Sequence, residues 1–155
     1  ETLKANRSNI VDRAASISDE VRALKKENEE LKKAAMGDEA GRLLDTAEEI
    51  NGIKLITKEF DNISVNELRS LSDDIKAENK GVCMVFASNG GNKVTFLVSL
   101  TDDVVQRGYN AGKMIKEIAA ATGGGGGGKA DMAQAGGKDP SKINDAFAVA
   151  KKLLS

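Results

Sequence analysis

Six consecutive glycines, Gly123 to Gly128, run directly into Lys129 within the stretch ATGGGGGGKADMAQAGGKDP. A cationic side chain beside consecutive peptide N–H groups can hold an anion, phosphate above all. The spacing satisfies G-x-x-x-x-G-K as far as Lys129. A nucleotide-triphosphate loop then needs a Ser or Thr hydroxyl for Mg²⁺, and this chain has Ala130. The flanks differ too, because such a loop leads from a strand into a helix, and this run follows a helical pattern. NTP hydrolysis is therefore set aside. Three readings of the run stay open from the residues alone: phosphate or nucleic-acid contact, close approach of backbone to backbone, and a flexible linker. The linker reading must contend with the strand pattern and the well-capped helix that follow.

Other chemistry is narrowed by composition. With no histidine in 155 residues, no His-assisted hydrolase, His-ligated zinc site or His general base can be built. A single cysteine, Cys83, excludes a thiolate zinc site, and its place inside VCMVFA marks it as a core residue in a reducing compartment. Residues 1–50 carry a net charge of −3 and residues 51–155 a net charge of +2. Neither is the footprint of a strongly basic nucleic-acid binder, and one Tyr and four Phe make a poor base-stacking platform. Any RNA contact has to be local and shape-reading. The candidate cations are Lys113, Lys116, Lys129, Lys138 and Arg107. No run of about 18 apolar residues suggests a membrane span, and a first residue of Glu1 suggests a piece of a longer protein.

Two kinds of element must position these residues. From Ile10 to Ala35 the apolar positions recur at spacings of four and three. Ala14, Val21, Asn28 and Ala35 fall at heptad position a, and Ile10, Ile17, Leu24 and Leu31 at d. A β-branched residue and one Asn at a, with leucines at d, predict a paired helix. Its partner is a second copy, a helix of another protein, or a helix folded back through a turn at MGDEAG, with RLLDTAEEI as the returning arm.

Beyond Gly52 the period changes to that of a mixed sheet. GIKLITKEF reads as a strand, and Ser64 with Glu67 forms a capping box for a helix over SVNELRSLSDDIKAEN. VCMVFAS is a strand buried on both faces, NGGN a hairpin, and KVTFLVSL the returning strand. One helix is expected over DDVVQRGYNAGKMIKEIAAAT, then the glycine loop, a short edge strand ADMAQA, and a last helix capped by Asp139 with Pro140 at its first position. The fold class is thus α+β. An N-terminal coiled-coil-like helical segment, residues 1–50, precedes a mixed-sheet α/β globular domain, residues 51–155.

The stretch GGGGGGKADMAQAGG resembles the signature near the C-terminus of alanyl-tRNA synthetases. The coiled segment, INGIKLI and LRSLSDDIK resemble the same C-terminal module, which belongs to the DHH-associated domain family. The resemblance implies a module that carries neither the aminoacylation nor the editing centre. It binds alanine-accepting tRNA at the elbow, helps both centres act on one molecule, and dimerises through its helices. In related phosphoesterases the corresponding glycine loop contacts substrate. That implies nucleic-acid contacts at Gly123, Gly124, Gly125, Gly126, Gly127 and Gly128, and at Lys129, Asp131 and Gln134; Lys113 and Lys116, from the candidate cations named above, complete the expected nucleic-acid-binding set. Where the phosphoesterases often carry a histidine, this chain has Lys129, so no histidine-dependent role transfers. The resemblance further implies a cytoplasmic parent ligase that uses ATP, Mg and Zn, with no cofactor, metal or membrane contact in this piece. The rival expectation is a purely structural dimerisation module without RNA contact.

Overall fold

The computed structural model describes residues 7–155. The chain divides after Asp38 into a helical unit and a globular unit, Glu39–Ser155. The first helix, α1, runs unbroken over Arg7–Asp45. It passes straight through Met36 to Gly41, so the hairpin alternative is overturned: the chain does not turn there. Gly37 and Gly41 each cost about 1 kcal/mol in a helix interior. Ala, Leu, Glu and Arg on either side are strong helix formers, and no proline interrupts them. Along the helical unit the seam residues Ile10, Ile17, Val21, Leu24 and Leu31 are 42–65% exposed, and Ala14 and Asn28 are exposed as well.

The globular unit is a six-stranded mixed sheet in the order β1-β2-β3-β4-β6-β5. β1 (Glu48–Ile50) and β2 (Ile53–Asp61) form a hairpin. The segment RLLDTAEEI therefore ends in a strand, not a helix. The cause is the two-residue turn Asn51–Gly52, both at positive φ, the Asn-Gly signature of a tight hairpin. The helix α2 (Val65–Glu78) then crosses over to β3 (Val82–Asn89), which pairs parallel to β2. The capping box is formed as expected: Ser64 Oγ accepts from the Glu67 N–H, and the Glu67 carboxylate accepts from the Ser64 N–H at 3.0 Å. β4 (Val94–Leu100) returns antiparallel beside β3, and both strands are almost wholly buried.

Where one helix is expected, the structure has two, α3 (Asp102–Gln106) and α4 (Ala111–Ala120). Gly108 at φ +101° breaks the helix, and Asn110 starts the second one by accepting from the Lys113 N–H. The glycine run is not a loop. Gly125–Gly128 is a strand, β5, at the edge of the sheet, and β6 (Met132–Gly137) lies inside it, between β4 and β5. A 3₁₀ turn at Pro140–Lys142, capped by Asp139, leads into α5 (Ile143–Leu154).

Helices α4 and α5 cover one face of the sheet. Ile115, Ile118, Ile143, Ala146 and Leu154 pack there on Ile53, Leu55, Val85, Phe96, Val98 and Ala135. Leu68, Leu71 and Ile75 of α2 cover the opposite face, where the alternate strand residues Met84, Phe86 and Leu97 point.

Candidate nucleic-acid interface

The fold brings the glycine run, Lys116 and Gln134 together at one sheet edge. Gly125 pairs with Gly136, Gly126 with Ala135, Gly127 with Gln134 and Gly128 with Ala133. The Lys129 N–H donates to the Met132 carbonyl at 2.9 Å, which sets the ladder's phase. Antiparallel alternation then engages Gly125 and Gly127 with β6 and turns the peptide groups of Gly126 and Gly128 toward the free edge. The expected concavity of consecutive free N–H groups is therefore absent. Half of the run is committed to β6, because a chain without side chains can roll close onto its neighbour.

Steric demands alternate along the same strand. A Cβ at Gly124 would run into the Gly136 carbonyl, and one at Gly126 into the Gln134 carbonyl and Ala135. A Cβ at Gly128 would lie 2.5 Å from the Ala133 Cα, and one at Gly112 of α4 would lie 2.7 Å from the Gly128 carbonyl. These glycines are there because backbone packs on backbone. Gly125 and Gly136 are different: a Cβ on either meets nothing within 4 Å, and at Gly127 only the Lys116 Cε at 4.0 Å. Neither packing nor a positive φ requires glycine at these three positions, although glycine in a strand costs roughly 0.5–1 kcal/mol relative to Ala. Glycine in a strand often marks a bulge, a bend or a place where a ligand or another backbone approaches closely, and the regular pairing of Gly125 and Gly127 with β6 leaves no bulge there.

The helix N-terminus beside this strand is already satisfied from within the chain. The Ala111 N–H donates to the Ala130 carbonyl at 2.8 Å and the Gly112 N–H to the Lys129 carbonyl at 3.1 Å. Lys113 and Lys116 are exposed on one side of α4, three residues apart, and Lys129 is exposed at the β5–β6 turn. Asp131 is drawn elsewhere, to the Lys76 ammonium at 3.9 Å, which Asp73 also approaches at 3.7 Å. Arg107 lies beside Gly52, at the other end of the strand order, and Lys138 donates its N–H to the Thr122 carbonyl where β5 begins. The dimerisation candidates all lie on α1 in the separate helical unit.

One further residue belongs to the edge and was not legible in the sequence. Arg69 of α2 donates from Nη2 to Gln134 Oε1 at 2.7 Å, across 65 residues of chain. Both side chains are exposed, and because Gln134 is neutral the contact orients the guanidinium without neutralising it. Gly136 sits in the quoted DMAQAGG motif, yet only the register of β5 on β6 gives it a place at this edge.

Burial pushes the Cys83 thiol up to about 12. The hydroxyl of Thr101 is the main influence holding Asp103 low, and Ser141 does the same for Asp139. Among the described residues no cluster of Cys, Asp and Glu could hold a metal ion, and no helix is long and apolar enough to cross a membrane.

A mixed sheet with a crossover helix on one face, two helices on the other and a glycine edge strand defines the class: the chain belongs to the DHHA1 domain family, whose model matches residues 52–155. Within solved structures it is similar to the C-Ala domain from Aquifex aeolicus alanyl-tRNA synthetase. The two share 33% identity at a TM-score of 0.67, over 71% of this chain and 98% of that one. Among curated proteins it is 44% identical over 149 residues to the alanine–tRNA ligase of Shouchella clausii, and 38% identical over 152 residues to that of Bacillus mycoides. Those matches span 96% and 98% of this chain but only 17% of each ligase, so the chain corresponds to one domain of such an enzyme and lacks its catalytic region. The α+β architecture expected from the residues and the family implied by the resemblance agree with these findings.

Proposed function

We propose that the chain is the tRNA-binding and dimerisation module of an alanine–tRNA ligase. The globular unit contacts the tRNA at its elbow, the helical seam pairs with a second copy, and the module holds one tRNA for both the aminoacylation and editing centres of its parent. That parent is cytoplasmic and uses ATP, Mg and Zn at centres outside this chain. The observation that carries the reading is the glycine edge itself: three glycines that the fold does not require, with Lys116 beside them and Lys113 and Lys129 nearby. Similarity to a C-Ala domain over nearly its full length supports it.

An A-form surface with its 2′-hydroxyls can be read by shape with few side chains, which suits a globular unit of weak net charge. Few phosphate contacts predict modest affinity and a salt dependence of roughly 0.7–0.9 in log K per contact per decade. Because an elbow is common to nearly all tRNAs, little discrimination among them is expected.

The test is fluorescence anisotropy with labelled tRNA at two salt concentrations. Saturable binding that weakens with salt is the expected result. No saturable binding at low salt would leave the rival reading, a structural dimerisation module whose seam residues are exposed for pairing.

A further inference from the structure

We infer that the three unforced glycines, Gly125, Gly127 and Gly136, form the seat of one RNA phosphodiester clamped between Arg69 and Lys116. This inference rests on the tRNA-binding reading and names the atoms that would carry it.

Cross-strand partners share a sheet face, so Gly125 and Gly136 lie together, as do Gly127 and Gln134. The result is a strip of bare backbone interrupted by a single side chain, Gln134. Its Oε1 fixes the Arg69 guanidinium on the α2 side at 2.7 Å. From α4 the Lys116 chain reaches the same glycine, its Cε 4.0 Å from the Cβ position of Gly127. Gly127 thus has a fixed guanidinium beyond its cross-strand partner and an ammonium-bearing chain at its own flank. Two cations about a side-chain-free floor suit a compact anion on an extended polymer, because the missing side chains let a sugar–phosphate chain lie against the peptide planes. A peptide adding as a further strand would use the edge-facing groups of Gly126 and Gly128. It would not need Gly125, Gly127 and Gly136 to be bare, so strand addition is the weaker match.

The experiment uses the whole chain and labelled tRNA, with the variants Arg69→Gln, Lys116→Gln, the double variant, and Gly136→Val. Thermal unfolding by circular dichroism confirms that each is folded. Arg69→Gln and Lys116→Gln should each weaken binding about tenfold, in the range of one charge-assisted hydrogen bond, and Gly136→Val should weaken it by filling the seat. The double variant should weaken it by clearly less than the product of the two, since both groups act on the same phosphate. Wild-type binding with folded variants that bind equally well, or a double variant at the full product, would overturn the clamp and leave the tRNA reading standing. Failure of the wild-type chain to bind tRNA at all would remove both and turn attention to peptide partners at the edge.

Discussion

Arg69 and Gln134 are joined by a 2.7 Å hydrogen bond between the crossover helix and the strand next to the glycine edge. The bond ties α2 to β6 across 65 residues of chain and holds a charged group at the rim of bare backbone. Gln134 also stands opposite Gly127, so the side chain that orients the cation is in register with the flattest part of the edge. Removing the amide should free the guanidinium but not delete it. Gln134→Ala is expected to weaken tRNA binding less than Arg69→Gln does, with no change in the thermal midpoint; an equal or larger loss would mean that Gln134 itself meets the RNA.

The alternation of steric demand along β5 predicts opposite responses to the same substitution. Gly126→Ala drives a methyl into Ala135 and should destabilise the globular unit by about 1–3 kcal/mol, the range for an overpacked site. Gly125→Ala and Gly136→Ala meet nothing and should be neutral or stabilising by about 0.4–1 kcal/mol. Urea unfolding monitored by circular dichroism reads all three. Equal destabilisation at 125 and 126 would show that glycine at 125 serves the fold.

Cys83 on β3 is fully buried, and burial raises its thiol to about 12. At pH 8 almost none of it is thiolate, and no reagent reaches it without opening the sheet. A disulfide exchange reagent should therefore leave the native chain unmodified over the time in which it labels the urea-unfolded chain completely. Rapid labelling of the native chain would mean that β3 and β4 separate readily.

Much of the globular unit was legible because its signals are local. Ser64 and Glu67 sit three residues apart and close their box; VCMVFAS is uninterrupted and lies in the middle of the sheet; Asp139–Pro140 starts a helical turn. The glycine edge and the Arg69 contact depend instead on partners distant in sequence. Whether Gly125–Gly128 is loop or strand depends on whether β6 offers a flat enough neighbour, and Ala133, Ala135 and Gly136 supply it from the far side of a turn. Local pattern carries no sign that Arg69 would reach Gln134, whereas the break at Gly108 is signalled locally, by a glycine just past a helix end and Asn110 as the next N-cap, and the longer helical pattern hides it. The Asn51–Gly52 hairpin was readable, and the helical pattern before it masked the signal.

Stability in acid should depend on the caps. Asp139 accepts from the Ser141 N–H at 3.0 Å and from the Ser141 hydroxyl, which holds its carboxyl below the ordinary value of 3.8. A depressed acid contributes stability that is fully present above the unfolded value and is lost as the pH falls through the folded one. Asp139→Asn keeps an accepting oxygen at the cap but cannot titrate. Between pH 7 and pH 3 its thermal midpoint should fall less than that of the wild-type chain. Parallel falls would place the acid sensitivity in other groups, with Asp103, also held low, the next to substitute.

The helical unit makes the last prediction. Along α1, Ile17, Val21, Leu24 and Leu31 lie exposed at a and d positions, and Asn28 occupies an a position where one polar residue sets register at a cost in stability. Exposed leucines at regular heptad spacing are covered most economically by an identical helix. Sedimentation equilibrium should give twice the 16.3 kDa chain mass. Leu24→Glu sets a carboxylate at a d position against its own copy and should return the chain to a monomer. Asn28→Val should tighten the pair while loosening its choice of register or copy number. The edge strand belongs to the other unit, so a monomeric Leu24→Glu chain should keep the thermal unfolding of its globular unit and its tRNA binding. A wild-type chain that sediments as a monomer across the micromolar range would end the dimerisation proposal and leave the seam to a helix of a different chain.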